Sequence, residues 1–350
     1  METKKFLMSI CDASGVAGYE AEAAELIRAA FAEQGCEVSI DKLGNVIALK
    51  KGKGKGKVAF FSHMDEIGLV VVNIEKKGFV RFSQIGGYDQ RTLLAQEVII
   101  HGREKVFGVI GHKPPHLNTP EDSGKAVKMQ DMLIDTGYSE EKLRELVKVG
   151  DIITIKRSMV ELKNDTVAGK ALDDRACVAA MFECVKGLKD FNHDVDIYFV
   201  STTQEEVGSP GAKVATYGIE PDIGVTLDVT FAKTPEMKPH QCNEFGKGPV
   251  VEMGPNVHPK VFEMLKTAAK SSEIPFQIDV MTTGQSGTDA RVVQISRSGV
   301  ASGLISLPLK YMHTSVECVS MKDVAATGKL LSAMIMSLNG KDMEEQLCLN

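Results

Sequence analysis

The spacing of apolar residues divides the chain into three stretches of different texture. In the first, Ala24, Leu26, Ile27, Ala30 and Phe31 recur at helical intervals over residues 20–31, and Gly35 ends the pattern. Short apolar runs follow at 46–49 and 58–61. They predict two strands joined through the run Lys50-Lys51-Gly52-Lys53-Gly54-Lys55-Gly56-Lys57, whose charge and glycine spacing suit a solvated hairpin loop. The second run, Val58-Ala59-Phe60-Phe61, lacks polar alternation, which is the pattern of a central strand covered on both faces.

From about residue 67 to 160 the texture changes. Short apolar runs at 68–74, 98–101, 106–110 and 152–155 alternate with glycine-containing turns such as Lys77-Gly78, with one helical interlude at 140–149. This is the signature of a small, mostly β module. After Val167, strand and helix alternate again: helix 175–188, strands 195–201 and 222–227, helix 259–270, strand 299–306 and a closing helix 319–338. The predicted fold class is α/β, a doubly wound mixed sheet with helices on both faces, interrupted by a β-rich insertion. Residues 1–66 and 166–350 are expected to form the α/β domain, and 67–165 the insertion. The chain contains no internal repeat and no low-complexity segment.

Composition narrows the class without deciding it. A length of 350 residues suits one large core plus a second module. The formal charge of −6 argues against the concentrated basic face that nucleic acid requires. No run approaches the ~20 apolar residues of a spanning helix, and the first residues lack the apolar region and cleavage site of a secretory signal. The seven cysteines are odd in number and form no CxxC pair, so they are expected to be small core residues in a reducing compartment. The expectation is a cytoplasmic protein with neither nucleic acid nor membrane as partner.

Five clusters carry candidate chemistry. Ser62-His63-Met64-Asp65-Glu66 follows the strand 58–61, and an aspartate two residues after a histidine can hold its second ring nitrogen. Asp173-Asp174 opens the helix near 175, where acids also serve as ordinary caps. Glu205-Glu206 directly follows a buried strand, and nothing in that apolar context calls for two acids. Asp228 ends another strand, and His313 lies between the strand 299–306 and the closing helix. Each cluster alone has a bland reading as a polar strand end or helix cap. Together they fall at successive strand ends, so a wound sheet would collect them at one edge. Two histidines and several carboxylates without cysteine suit a hydrolytic pair of divalent cations rather than a closed structural site.

The segments FFSHMDEIG, GKALDDR, TTQEEVGSPGA, LDV and YMHTSVE, in this order and at these intervals, resemble those of the TET-type (tetrahedral-assembly) dinuclear metallo-aminopeptidases. That family includes glutamyl aminopeptidases and CelM-like proteins, and the likeness covers essentially the whole chain. It implies that Asp173 bridges two divalent cations, with His63 and Asp228 completing one site and Glu206 and His313 the other. It implies that Glu205 is the general base, that Asp65 orients His63, and that the peptide between Asp173 and Asp174 is cis. Zinc or cobalt, with manganese as a third choice, suit the ligand set. The insertion would be a PDZ-like oligomerisation domain, the substrates peptides, and the assembly a tetrahedral homododecamer built from dimers. The chain departs from the family pattern at Ser209-Pro210, Lys310 and Thr314-Ser315, which bears on pocket shape rather than on the ligands.

A further stretch, Thr283-Gly284-Gln285-Ser286-Gly287-Thr288-Asp289-Ala290, has the glycines of a loop that approaches a ligand closely, which makes Thr288 and Asp289 candidate substrate contacts. His112 and His116 flank Pro114-Pro115 outside the α/β edge and read as loop residues, and His101, His193, His240 and His258 as structural or surface residues. Other functions remain open to the same residues. A carboxypeptidase, dipeptidase or deacylase of the same fold would share two metals and a glutamate base. A glycosidase would need two carboxyls across a sugar bond and no metal. A purely structural metal in an assembly subunit is the non-enzymatic alternative.

Overall fold

The strand Lys57–His63 shows how one apolar run serves two cores. Side chains alternate across a strand, so Val58 and Phe60 enter the larger core while Ala59 and Phe61 enter a smaller one on the opposite face. The computed structural model describes residues 1–117, 124–281 and 287–349. Among them, the main sheet has eleven strands. Asp196–Thr202, Lys57–His63, Ile223–Phe231 and Ala301–Lys310 run parallel at its centre, and antiparallel strands flank them on both sides.

Helices cover both faces, as the strand–helix alternation predicts. Thr3–Asp12, Ala21–Glu33, Leu172–Gly187, Pro259–Ser271 and Met321–Leu338 pack over the larger core. Pro210–Ile219 and Ala290–Gln294 pack over the smaller one. A relay of rings crosses the larger core from the first helix to the sheet: Phe6 to Phe182 at 4.5 Å, Phe182 to Phe31 at 5.9 Å, Phe31 to Phe199 and Phe199 to Phe60 each at 5.7 Å. The last ring belongs to the strand that ends in His63. Among the described residues, no helix is long and apolar enough to cross a membrane.

The insertion is a closed six-stranded barrel in the spatial order Gly68–Ile74, Phe79–Ile85, Leu133–Asp135, Lys105–Gly111, Glu97–His101, Ile152–Ile155. It encloses a core of its own. One short helix, Glu140–Leu146, is capped by the Ser139 hydroxyl, which accepts from the Lys142 N–H. The chain rejoins the main sheet at the hairpin Val160–Leu162 and Thr166–Gly169.

Several local expectations change. The Lys/Gly run does not close a hairpin, because Asp196–Thr202 lies between the strands that it connects. Asp194 and Asp196 attract the run across the end of that strand, with Lys53 Nζ 2.7 Å from Asp194 and Lys51 Nζ 3.1 Å from Asp196. The strand at 299–306 extends through Pro308, which lies opposite Thr230 of the parallel neighbour, to Lys310, and the Ala232 N–H donates to the Leu309 carbonyl beyond the proline. The closing helix starts at Met321, and residues 317–320 form a strand instead. Removing the last ring of the aromatic relay should be costly: Phe60→Ala is expected to lower stability to chemical denaturation by about 3–5 kcal/mol. Val72→Ala, at an exposed barrel position, is expected to stay within about 0.5 kcal/mol.

Candidate metal centre

Parallel register brings the strand ends to one edge. Thr202 pairs with His63, and Thr226 pairs with Phe61, so Glu205-Glu206 and Asp228 emerge beside the histidine. The helix Leu172–Gly187 delivers Asp173 from its start, and the loop after Ala301–Lys310 delivers His313. His63 and Asp228 come from regular strands, but the backbone is irregular where it presents Asp173, Glu205-Glu206 and His313. Ala171, Gln204 and His313 all have φ near +60°, and the Asp173–Asp174 peptide is cis, as the resemblance implied. Non-glycine residues held with positive φ are costly and gather at functional sites.

The side chains converge. His63 Nε2 lies 3.1 Å from Asp173 Oδ1 and 4.0 Å from Asp228 Oδ1. His313 Nε2 lies 3.3 Å from Asp173 Oδ2 and 3.3 Å from Glu206 Oε1. Asp173 therefore turns one oxygen to each imidazole. Asp174 stands close as well, and its carboxylate groups with His63 and Asp228 in a second arrangement of metal-binding geometry. One Asp174 oxygen accepts from the Ser62 hydroxyl at 2.7 Å, and the other is buried without a partner. No sequence argument singled Asp174 out beyond its place in the acidic pair.

Charge at this edge is unbalanced. Burial disfavours a charged His63, yet Asp173 and Asp65 hold it protonated well above the usual imidazole range. Asp173 and Glu206 raise His313 to about 11. Burial opposes ionisation of Asp173, but His313 and His63 keep its carboxyl well below the usual range. Burial pushes Asp228 and Asp174 up, and it raises Glu205 to about 8 against the pull of His63. Several buried acids thus share two imidazolium charges. Such a site calls for further positive charge, and the oxygen and imidazole donors are those that borderline and hard divalent cations accept. The residues fit the cations that the resemblance implies.

Beneath this layer, carboxylates grip backbone. Asp65 accepts the N–H groups of Glu205 and Glu206 at 3.0 and 3.2 Å. His63 Nδ1 meets the Asp65 main-chain oxygen at 3.1 Å, with the carboxylate farther away at 3.5 Å. Sequence reasoning missed Glu317, although it closes the YMHTSVE segment. Its side chain, 2% exposed, accepts from the N–H groups of Leu172, Asp173 and His313 at 2.8, 3.1 and 2.9 Å. One carboxylate thereby fixes the backbone of residues on two elements far apart in sequence. Glu66 is held by Lys170 Nζ at 2.7 Å, and the buried Arg175 ties Met64 to the first helix through the carbonyls of Met64 and Ile10.

A cavity of about 470 Å³ opens over the cluster. His63, Asp173, Glu205, Glu206, Asp228 and His313 form its floor, with Phe231, Thr288, Met312 and Arg291 around it. Arg291 is the one arginine or lysine among the described lining residues. Asp289 does not reach the cavity: it is 1% exposed and accepts from the Thr202 hydroxyl at 2.6 Å. Residues 283–286 of the predicted substrate loop lie outside the described residues. Ser209, Pro210 and Lys310 are absent from the described lining, and Lys310 instead lies over the Phe245 ring at 4.3 Å. His112 and His116 join none of the metal-binding groups found among the described residues.

Comparison with known proteins places this architecture. The M42 glutamyl aminopeptidase family profile matches residues 44–330. The lysyl aminopeptidase of Pyrococcus furiosus is 39% identical over 343 residues, covering 97% of this chain and 98% of that protein. The TET aminopeptidase of the marine sediment archaeon Thaumarchaeota archaeon SCGC AB-539-E09 superposes with a TM-score of 0.92 at 32% identity, covering 98% of each chain. The TET1 peptidase of Pyrococcus horikoshii, described as assembling into a tetrahedron or a large octahedral shell, superposes with a TM-score of 0.83 at 30% identity over 95% of this chain and 99% of that one.

Two outcomes test the geometry. Glu317→Gln replaces an acceptor of three N–H groups with an amide that has one acceptor oxygen, so divalent-cation affinity is expected to fall about 10–100-fold by calorimetry. Protons should also leave on binding. His313, with a folded value of about 11, is protonated at neutral pH and must lose its proton to coordinate. Cation affinity of the metal-free protein should therefore rise with pH from 7 to 9. Binding heats measured in buffers of different ionisation enthalpy should report the released protons.

Proposed function

The chain belongs to the M42 glutamyl aminopeptidase family and is a metallo-aminopeptidase, and from that premise we propose that it removes N-terminal residues from oligopeptides with two divalent cations and Glu205 as general base. The observation that carries the reading is the placement of Asp173 between the two imidazoles, one oxygen toward each. His63 and Asp228 would hold one cation, His313 and Glu206 the other, and Asp173 would bridge them. Asp174 is the weaker choice for the bridge, because one of its oxygens is engaged by Ser62. Zinc or cobalt suits these donors best, and manganese also fits.

Bound there, the cations would polarise the scissile carbonyl and make a water molecule easier to deprotonate. Glu205 takes a proton from the attacking water as its oxygen joins the carbonyl carbon. It then passes that proton to the amide nitrogen as the C–N bond breaks. The products are a free amino acid and a peptide one residue shorter. Glu206 cannot serve as the base, since a carboxylate committed to a cation is a poor proton acceptor. Asp65 holds Glu205 and Glu206 through their backbone N–H groups, which keeps the base and its neighbour in fixed relation. Thr288, on the cavity wall, would contact the substrate, and Asp289 would act from behind it.

The same family context supports a cytoplasmic enzyme that self-assembles into a tetrahedral dodecamer built from dimers. Residues 1–66 and 166–350 would form the catalytic domain, and 67–165 the assembly module, except that the strand Val160–Leu162 belongs to the main sheet. Glu205→Gln should keep both cations while hydrolysis of aminoacyl anilides falls about 10²–10⁴-fold. An excess of chelator should abolish the activity and added divalent cation restore it. Wild-type turnover by Glu205→Gln would overturn the assignment of the base.

A further inference from the structure

The inserted barrel reaches the metal centre. Its strand Phe79–Ile85 runs antiparallel to Gly68–Ile74, with Ile85 opposite Gly68. The end of that strand therefore returns to the point where the chain leaves the His63–Glu66 segment. Two glycines follow. Gly86 has φ of +75°, a backbone conformation that favours glycine, and a Cβ there would come within 2.7 Å of Ile67 Cγ2 and 3.4 Å of Glu206 Oε2. Gly87 is different. Its φ is not in the left-handed region, and the two atoms that a Cβ would meet within 4 Å are both in the His313 ring, Nδ1 at 3.2 Å and Cε1 at 3.5 Å. A Cβ there would be tight against the imidazole rather than the backbone, and the ring would have to give by a few tenths of an ångström.

Two more contacts join the same surfaces. Tyr88 lines a small internal space together with Asp173, Glu206, Glu317 and Lys170. The Ser315 hydroxyl, two residues beyond His313, donates to Gln96 Oε1 of the barrel at 3.3 Å. The barrel loop thus lies beside both residues of one proposed cation site, and Gln96 bonds the loop that carries one of them.

We propose that the Gly86-Gly87-Tyr88 loop is a positioning element of the metal centre, which fixes the Glu206 carboxylate and the His313 ring by close packing, so that the insertion serves catalysis as well as assembly. The proposal rests on the reading of Glu206 and His313 as ligands. His313 needs such support: it sits on a positive-φ backbone, its side chain is 36% exposed, and Glu317 holds its N–H but not its ring. A ring displaced by a fraction of an ångström meets a cation at the wrong distance and angle, and residues that orient ligands commonly contribute 10–100-fold in affinity. The barrel loop would prevent that displacement from one side, as Asp65 does for His63 from the other.

The test titrates the metal-free, full-length protein with zinc and with cobalt by calorimetry. Wild type is compared with Gly87→Ala, Gly87→Val and Gly111→Ala, the last a barrel position where a Cβ meets nothing within 4 Å. One of the two cations is expected to bind about threefold more weakly in Gly87→Ala and about 10–100-fold more weakly in Gly87→Val, while Gly111→Ala matches wild type. With both cations saturating, kcat should fall more than KM changes, and the melting temperature of the metal-free protein should be unaltered. Wild-type affinity for both cations in folded Gly87→Val would overturn the proposal. Should that variant not fold, Gly87→Ala decides, since its methyl group reaches the His313 ring alone. His313→Ala and Glu206→Gln serve as references. If they too bind both cations normally, the ligand assignment fails; if they lose a cation and the Gly87 variants do not, only the role of the loop fails.

Discussion

Buried carboxylates repel one another, and the sheet edge of this protein gathers Asp173, Asp174, Glu206 and Asp228 around two imidazoles. An arrangement of that kind persists only if each charge is answered. Cations would answer the inner layer, and the chain itself answers the outer one. Glu317 takes three backbone N–H groups, Asp65 takes two, and Glu66 takes Lys170. Charge-assisted bonds to backbone are among the stronger polar interactions available inside a protein. Here each also fixes a segment bearing a proposed ligand or base. The acids beneath the site thus hold the geometry in which the inner carboxylates face a cation.

This outer layer depends on a rigid frame. Four central parallel strands set the level at which His63, Glu205 and Asp228 emerge. The ring relay from Phe6 to Phe60 buttresses the strand ending in His63. Arg175, wholly buried, anchors Met64 to the first helix. The closed barrel adds a third support, because its strand ends abut the cluster rather than pointing away from it.

Most of the frame was legible from periodicity. The continuous apolar run 58–61 reads as a central strand because both faces are covered, and the alternation of strands and helices after residue 167 reads as a wound sheet. Candidate ligands were legible only jointly: each acid or histidine alone reads as a polar strand end or helix cap, and their recurrence at successive strand ends points to one edge. Glu317 was not, although it lies within a recognised segment. A glutamate between valine and cysteine gives no local sign that its partners are the N–H groups of residues near 172 and 313. Gly86-Gly87 likewise reads as a turn, and only the packed structure shows a histidine ring where a side chain would be. The Lys/Gly run failed as a hairpin for a related reason: the strand that separates its two ends arrives from residue 196 onward.

The sequence by itself determined the α/β class, the β-rich insertion and the inventory of acids and histidines, because these follow from short-range patterns that hydrophobic burial and backbone geometry read locally. Tertiary structure decided which oxygen faces which ring, which acid is tied to backbone and which is left to a cation, and that the barrel loop packs against His313. Those outcomes depend on distances between residues more than a hundred positions apart. No local pattern encodes them, since they arise only once the sheet has wound and the barrel has closed beside it.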